Sequence, residues 1–427
     1  MAMKAYKSYK NVDLPWLKRV PEHWEVKRIG SLFSQRIEKV SDKVYAPLTV
    51  TKYGIVPQLS DAAKTNNGDD RKLVCVGDFV INSRSDRKGS SGLSKLEGSV
   101  AKINLVLKPR TALTGKYIHY LLKSNSFIEE YYRNGRGIVA DLWTTGFSDM
   151  KTIWLPVPPK KEQDQIVRYL DWQNSRLNKL INAKKKEIAL LEELLASIIS
   201  NCTSKVQLWH TKPFTKIAKI CSNVVSSDCY KQSPQISPAN IEKNTGCLIS
   251  YGTVEESGII GVNNLFFKGQ ILYSKIRPML NKVTLAPVDG LCSTDIYPIE
   301  TSLHAPYLIY FMLSGNFLSQ IKTSDNRVKM PRLNKEELSS ILVDFPDYDQ
   351  QIKIARYLDI VRAKIKNSIS SINNQIITLQ EYRTRLVADV VTGQIDVRNI
   401  AIPNYETVTE TIDQPETTED EANTTEE

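Results

Sequence analysis

The chain has few of the residues that build disulfide frameworks and zinc sites. Its 427 residues include six cysteines without a CxxC pair, and its four histidines stand singly. This spacing argues against both kinds of site. The sequence also lacks a run of about 18 uncharged apolar residues, and no apolar segment follows the lysines near its beginning. We therefore expect no membrane span, no secretory signal and a cytoplasmic location.

The common signatures of catalysis are missing as well. The chain contains no GxxxxGK[ST] phosphate loop and no GxGxxG, HExxH or GxSxG motif. It also lacks the [DN]PP[FYW] tetrapeptide expected of an enzyme that methylates an amino group on a base. We therefore expect no catalytic residue, no metal and no cofactor in this chain. A nuclease with dispersed Asp, Glu and Lys residues stays open, because its spacing is too loose to recognise.

Charge is distributed unevenly along the chain. The last 27 residues hold nine carboxylates and no Lys or Arg, so residues 1–400 carry 57 positive and 38 negative side chains, a net charge of +19. A body this basic suits a polyanion such as nucleic acid, although modest basicity also serves solubility alone. The acidic, Thr-rich segment 401–427 has few large apolar residues, and this composition predicts disorder.

One six-residue motif occurs twice in the chain. The hexapeptide IVRYLD at Ile166 to Asp171 returns as IARYLD at Ile354 to Asp359, 188 residues later. At this offset the apolar positions that follow recur in register, and their spacings of 4, 7, 4, 7, 3 and 7 are those of heptads. The predicted helix-helix seam consists of Ile166, Leu170, Leu177, Ile181, Ile188, Leu191 and Ile198, and of Ile354, Leu358, Ile365, Ile369, Ile376, Leu379 and Leu386.

Each repeat predicts one helix of roughly 38 to 44 residues, because Gly and Pro are absent over that length. Two such helices in one chain are expected to bury their seams against each other as an antiparallel coiled coil, the alternative being a single long helix from a helical bundle. Weaker similarity, such as VGDFVINSR with KGQILYSKIR, predicts a strand-rich lobe before each helix. Two basic lobes related by a pseudo-twofold axis suit two separated DNA half-sites, which should differ because the lobes differ.

Basic loops inside the lobes are the candidate DNA contacts. They combine Arg and Lys with Ser and Gly, which let the backbone approach a phosphate closely. Arg can also pair with guanine through two adjacent donors, although each loop could equally be a solvated turn. The hairpin with Lys52 and Tyr53 is a weaker candidate that could simply close a turn. The candidates are Lys52, Tyr53, Arg84, Arg87, Lys88, Lys95, Arg133 and Arg136 in the first lobe, and Lys275, Arg277, Lys282, Arg327, Lys329 and Arg332 in the second.

Four stretches together resemble one protein family. They are PEHWEVKRIGSLF near the N-terminus, PVPPKKEQDQIVRYLD at the first long helix, RVKMPRL ahead of FPDYDQQIKIARYLD at the second, and RTRLVADVVTGQIDVR after it. In combination they are similar to the specificity subunits of type I restriction-modification systems. The second helix start lacks the Glu-Gln pair of the first, and the acidic tail is additional.

This resemblance implies a non-catalytic subunit that reads a split, asymmetric site on double-stranded DNA. It implies assembly with two methyltransferase subunits that bring S-adenosylmethionine, and with restriction subunits that use ATP and Mg. The implied fold is α+β, with two mixed α/β target-recognition domains separated by two long antiparallel helices. The expected domains are a segment at 1–20, recognition domains at 21–160 and 206–347, helical regions at 161–205 and 348–400, and the tail at 401–427.

Two other functions stay open at the level of sequence. The chain could be an enzyme in which a nuclease or methylase is fused to a DNA reader. It could also be a coiled-coil interaction protein that is basic for unrelated reasons, in which case it would show no sequence preference and little salt dependence.

Overall fold

A computed structural model describes residues 4–58, 68–110, 113–137, 143–206, 208–322 and 332–411. The chain forms two compact units. Unit 1 combines residues 1–184 with residues 374–427, and unit 2 consists of residues 185–373. Unit 1 is therefore assembled from two separate stretches of sequence, and each unit takes in one half of each long helix. The bounds of the six segments expected from the sequence stay predictions.

Unit 1 consists mainly of short strands followed by short helices. Its strands are β1 (Tyr9–Leu14), β2 (Leu17–Pro21), β3 (Glu25–Arg28), β4 (Phe33–Gln35), β5 (Lys39–Val40), β6 (Leu48–Thr51), β7 (Gly54–Pro57), β8 (Arg71–Val74), β9 (Phe79–Asn82), β10 (Ser91–Leu93), β11 (Gly98–Val100), β12 (Asn104–Pro109) and β13 (Trp154–Val157). Its helices are α1 (Ile29–Leu32), α2 (Gly115–Leu122), α3 (Asn125–Arg133), α4 (Phe147–Met150) and the first part of α5 (Lys160–Thr203).

Unit 2 follows the same plan. Its strands are β14 (His210–Pro213), β15 (Ala218–Ile220), β16 (Val224–Ser226), β17 (Pro234–Ile236), β18 (Gly252–Thr253), β19 (Val262–Phe266), β20 (Ile271–Ser274), β21 (Val283–Leu285), β22 (Gly290–Cys292), β23 (Ile296–Thr301) and β24 (Leu342–Phe345). Its helices are α6 (Val254–Ser257), α7 (Ala305–Leu313), α8 (Gly315–Lys322), α9 (Lys335–Ser340) and the first part of α10 (Tyr348–Val391). We call the part of unit 1 before α5 lobe 1, and the part of unit 2 between α5 and α10 lobe 2.

The central sheets of the two lobes match strand for strand. Lobe 1 has the order β10-β9-β12-β4 and lobe 2 the order β21-β20-β23-β15, all antiparallel. Phe79 lies opposite Leu107, and residues 192 positions later, Ile271 and Ile299, are paired in the same way. The internal repeat predicted from the sequence is therefore a repeat of topology and register.

Alternation along β9 explains how the sheet of lobe 1 is buried on both faces. Phe79 and Ile81 enter the main core with α2 and α3, whereas Val80 enters a smaller core with the strands on the other side. Successive side chains of a strand point to opposite faces, so a run of apolar residues fits only a sheet covered on both sides. In lobe 2, Tyr273 and Leu272 divide between two cores in the same manner.

The two long helices confirm the predicted helix-helix pair. Each has 44 residues, and all fourteen predicted seam residues are buried or half-buried. In unit 1, Ile166 near the start of α5 shares a core with Val390 near the end of α10. In unit 2, Ile199 near the end of α5 shares a core with Leu358 near the start of α10. The helices therefore run antiparallel. The helix α10 ends before Gly393, whose φ of +76° suits a C-cap glycine.

Each long helix is fastened to its lobe by the same polar contacts. The buried Gln163 side chain donates to Pro158 O (2.9 Å) and accepts from Thr114 N (2.9 Å). Gln351 does the same in unit 2, with Pro346 O (2.9 Å) and His304 N (2.8 Å). The aspartate that ends the repeated hexapeptide accepts a hydrogen bond from a tyrosine hydroxyl. The two pairs are Tyr120 with Asp171 at 2.7 Å and Tyr310 with Asp359 at 2.6 Å.

An additional polar cluster in unit 1 has no counterpart among the described residues of unit 2. The buried Glu162 carboxylate accepts hydrogen bonds from Tyr6 Oη (2.6 Å), Trp24 Nε1 (3.1 Å) and His23 Nε2 (2.7 Å). Burial and this hydrogen bond raise the pKa of Tyr6. The corresponding residue of unit 2 is Gln350. The glutamate therefore holds the first strands of the chain against the start of α5.

The chain beyond α10 corrects the prediction of disorder from residue 401. Residues 401–411 lie along α5 as an extended segment, and residues 412–427 lie outside the described part. Ser175 Oγ donates to Glu406 O (2.7 Å) and accepts from Val408 N (2.9 Å), while Arg383 of α10 pairs with Glu410 at 2.7 Å. Composition does not reveal this docking, because its hydrogen bonds use mainly backbone atoms of the segment.

Two findings concern the described residues alone. Among them no helix combines the length and the apolarity that crossing a bilayer requires. Nor do they contain a group of three or more His, Cys, Asp or Glu side chains placed to hold a metal ion.

The tyrosine-aspartate contact of unit 2 can be measured by a double-mutant cycle. We expect Tyr310→Phe and Asp359→Ala to show a coupling free energy of about 1 to 2 kcal/mol in urea unfolding of the full chain, because each removes one partner of a charge-assisted hydrogen bond. Tyr357→Phe with Asp359→Ala is the matched control, since Tyr357 belongs to the same motif but is exposed. A coupling free energy of zero between Tyr310 and Asp359 would show that this contact does not help to fasten α10 to lobe 2.

Candidate nucleic-acid interface

The first basic loop follows β9 and begins at Arg84. The Arg84 amide donates to Asn82 Oδ1 (3.0 Å), and a single 3-10 turn covers Ser85–Arg87. Gly89 then takes a φ of +82°, which returns the chain toward β10. Arg84, Arg87 and Lys88 are all exposed on this loop. The structure thus brings these three predicted residues together.

A second basic segment lies beside the first, and Thr144 joins them. Thr144 forms antiparallel bridges with Arg84 on one side and with Arg136 on the other. Toward Arg136 both backbone bonds are made by Thr144 itself, each 3.0 Å long. Toward Arg84 the bonds are made by its neighbours, Ser85 N to Trp143 O and Thr145 N to Ser83 O, each 2.9 Å long. Three separate segments therefore form a small sheet.

The aromatic residues of this region support the loops from beneath. Tyr131 and Tyr132 are buried in the core of unit 1, and only Trp143 is partly exposed among the three aromatic residues near Arg133 and Arg136. The Tyr131 hydroxyl donates to Thr145 O (3.0 Å), and Tyr132 Oη lies 3.1 Å from Asn82 O. Burial raises the pKa of both tyrosines. These two tyrosines position the basic loops rather than offer aromatic surface to DNA.

Carboxylates accompany the cations of lobe 1. Arg84 Nε lies 2.9 Å from Asp86, Lys88 Nζ 2.6 Å from Glu129, and Arg136 Nη2 2.8 Å from Asp149. Arg133 holds Glu130 with two nitrogens at 2.8 and 2.9 Å, which raises the pKa of Arg133. The pairs of Arg84 and Lys88 are exposed and contribute about 0 to 1 kcal/mol, so a phosphate can replace those two carboxylates at little cost.

The hairpin of β6 and β7 carries Lys52 and Tyr53 at its exposed tip, next to the first basic loop. Gly92 lets the hairpin pack on β10, since a Cβ there would lie 2.9 Å from the Gly54 Cα. Lys123 links the two features by donating to Lys52 O (2.7 Å) and Gly89 O (3.1 Å). Burial lowers the pKa of Lys123 to about 8. Lys123 could not be identified from the sequence, because it follows the helix α2 and is far along the chain from both features.

The remaining lobe 1 candidate is Lys95. It is exposed on the turn between β10 and β11. The structure therefore places every lobe 1 candidate on the surface.

Lobe 2 repeats the first basic loop with different residues. Ile276 and Arg332 form the antiparallel bridge that Arg84 and Thr144 form in lobe 1, and Leu333 N donates to Lys275 O (2.8 Å). Asp295 lies between the two cations, 3.9 Å from Lys275 and 3.5 Å from Arg332. The Lys275 ammonium also lies 5.5 Å from the Tyr297 ring centre. Arg327 and Lys329 lie outside the described residues.

The other lobe 2 candidates are held more tightly than those of lobe 1. Lys282 is half-buried and donates to Pro238 O (2.8 Å). Arg277 is also half-buried, and its φ of +46° lies in the left-handed region that a side chain disfavours. Asn281 has a similar φ of +45° at the other end of the same turn. Strained backbone of this kind often occurs at functional loops.

The strain at Arg277 predicts an unusual order of stability among its variants. We expect Arg277→Gly to be more stable than Arg277→Ala by about 1 kcal/mol in urea unfolding, because both lose the guanidinium but only glycine relieves the positive φ. At Lys282, which has no positive φ, the alanine variant should be the more stable one. If alanine is preferred at position 277 as well, the left-handed conformation is wrong.

Comparisons with known proteins agree on one family. Residues 208–377 match the family model described as the type I restriction modification DNA specificity domain. The EcoDI specificity subunit of a type I restriction enzyme from Escherichia coli is 33% identical over 202 residues, which is 44% of this chain and 46% of that protein. The match thus spans about half the length of the curated relative.

One solved structure shows the same fold. A chain from a structure titled for the complex assembly and conformational transition of the type I R-M system has a TM-score of 0.65 at 12% identity, covering 88% of this chain and 99% of that chain. The HsdS subunit from Thermoanaerobacter tengcongensis aligns with a TM-score of 0.47 at 15% identity, covering 88% of this chain and 98% of that chain. Residues 208–377 thus match a type I restriction modification DNA specificity domain, and the chain is similar to a type I specificity subunit over about half of its length.

Proposed function

We propose that this chain is a DNA sequence-recognition subunit that reads a split, asymmetric site and delivers the enzymes of a type I restriction-modification complex to it. The observation that carries the proposal is the repeated basic loop. Bridges at equivalent points of the two lobes, Arg84 with Thr144 and Ile276 with Arg332, hold exposed cations at the surface. Loops of this kind on rigid scaffolds are common sites of recognition.

Each lobe reads one half of the site. The recognition domains are residues 21–160 and 206–347, and the helical regions at 161–205 and 348–400 set the gap between the half-sites. The lobes share topology but carry different side chains in the basic loops. Different loops select different bases, so the two half-sites differ in sequence.

Most of the binding free energy comes from phosphate contacts. The candidates are the fourteen Lys, Arg and Tyr residues named from the sequence, with Arg87, Lys88 and Lys95 as the most typical phosphate ligands because they are exposed on short turns. For each phosphate contact, the logarithm of the binding constant falls by about 0.9 per tenfold rise in salt. A coiled-coil protein that is basic incidentally lacks this steep dependence.

Catalysis belongs to the partner subunits. Two methyltransferase subunits supply S-adenosylmethionine, and restriction subunits supply ATP and Mg chemistry, as the family resemblance implies. This chain contributes binding and orientation, and it works in the cytoplasm where the DNA is. A purified chain that methylates or cuts DNA with only cofactor and metal added would replace this proposal with a fused enzyme.

The lobe-by-lobe assignment is tested with one variant in each lobe. In competition binding with duplexes that carry only one of the two half-sites, Arg87→Ala should weaken binding to the first half-site alone, and Arg277→Ala binding to the second alone. Each variant thus serves as the control for the other. Equal loss at both half-sites in either variant would contradict the assignment. If the salt dependence of binding is unchanged in a variant, the substituted residue does not contact a phosphate.

A further inference from the structure

Three exposed side chains stand in one row on the small sheet of lobe 1. They are Arg84, Thr144 and Arg136, in that order across three strands. Residues directly opposite each other in antiparallel strands project from the same face of the sheet. Of their chain neighbours, Ser83 and Thr145 are buried and Trp143 is partly exposed. The two arginines therefore leave the protein on the same face.

The spacing of this row is set by the backbone. The bridge of Thr144 to Arg136 is hydrogen-bonded and the bridge to Arg84 is not, so their Cα spacings are about 5.5 and 4.5 Å, and the two arginines are about 10 Å apart. Base pairs of B-DNA are stacked about 3.4 Å apart along the axis. The arginines are thus separated by a length close to three base-pair steps.

The row is also held rigidly from below. Buried Tyr131 donates to Thr145 O and buried Tyr132 to Asn82 O, so the segment of Arg84 and the central segment of Thr144 are fastened to the core. Asp149 is only 13% exposed and binds Arg136, whose side chain is 84% exposed. Such a pair fixes the direction of a guanidinium while occupying a single one of its five donors.

We propose that Arg84 and Arg136 read bases in the first half-site, whereas Arg87 and Lys88 hold the backbone. The ligand class is guanine, whose O6 and N7 accept two adjacent donors of one guanidinium in the major groove. The first half-site therefore contains two guanines about three steps apart, on either strand. Asp149 is a positioning residue for Arg136. This inference rests on the proposed function and adds the bases and the residues that select them.

Lobe 2 carries different chemistry at the same place. Its bridge has Ile276 where lobe 1 has Arg84, and Arg332 where lobe 1 has Thr144. Asp295 contacts Arg332 as Asp149 contacts Arg136. The position of Arg84 is thus occupied by an apolar residue in lobe 2, and the position of Thr144 by a cation. This pattern fits a single guanine next to a thymine methyl group. The second half-site therefore differs from the first at these positions.

The test is selection from a duplex pool with a randomised centre, using the complex that this full chain forms in its native cells. Wild type should select a split site with two guanines in one half. Arg84→Ala and Arg136→Ala should each lower the preference for one of those guanines by roughly 10- to 100-fold. Arg87→Ala, the matched control from the same loop, should lower affinity for every sequence and leave the selected bases unchanged.

Asp149→Asn separates positioning from charge. This variant removes a negative charge, so simple electrostatics predicts tighter binding to all DNA. The proposal instead predicts a weaker preference at the base read by Arg136, without weaker binding to unselected DNA. An unchanged second half-site in each variant shows that the protein is folded.

The outcomes distinguish two failures. If wild type selects a split site but Arg84→Ala and Arg136→Ala select the same bases as wild type, the proposed base reading by Arg84 and Arg136 is wrong and the proposed function stands. If wild type selects no sequence at all, the proposed function is wrong, and so is the proposed base reading by Arg84 and Arg136.

Discussion

The attachment of each long helix to its lobe is the constraint on which the rest of the structure depends. Gln163 and Gln351 are buried, and each closes two backbone hydrogen bonds between the helix start and the lobe. An unsatisfied buried amide costs about 1 to 3 kcal/mol, so neither helix can shift along its lobe without losing both bonds. The helix and lobe of each unit therefore behave as one body, and the basic loops are fixed relative to the helix.

The repeated hexapeptide takes part in this attachment. Its leucine lies in the core beneath the helix, while its aspartate accepts the tyrosine hydroxyl of the lobe. The residue before each buried glutamine differs between the units, Glu162 in one and Gln350 in the other, and this difference also has a physical reason. Glu162 accepts from Tyr6, which precedes β1, and from His23 and Trp24, which lie between β2 and β3. These residues belong to unit 1, and the described residues of unit 2 show no such donors around Gln350.

Much of the fold could be predicted from the sequence because its signals are local. Heptad spacing and the absence of Gly and Pro predicted two long helices, and the structure has them at Lys160–Thr203 and Tyr348–Val391. The strands of each lobe and their recurrence also followed from short patterns. The docking of residues 401–411 did not, because it depends on Ser175 and the side chains of α5 that receive backbone groups.

The candidate site was only partly predictable for a related reason. Loop composition identified most of the exposed cations, but no local pattern shows that Thr144 pairs with both Arg84 and Arg136. The partners Asp149 and Lys123 were missed as well, since each reaches its loop through the fold. Tyr131 and Tyr132 were named beside the loop, yet their role beneath it depends on burial.

The central claim is that two unlike lobes each read their own half of a split DNA site. Mapping the methylated positions across the genome of the native cells, with and without this gene, tests that claim most directly. The account predicts a motif with two different halves separated by positions without preference, which disappears when the gene is deleted. A contiguous or palindromic motif that depends on this gene, or methylation that persists without it, would contradict the account.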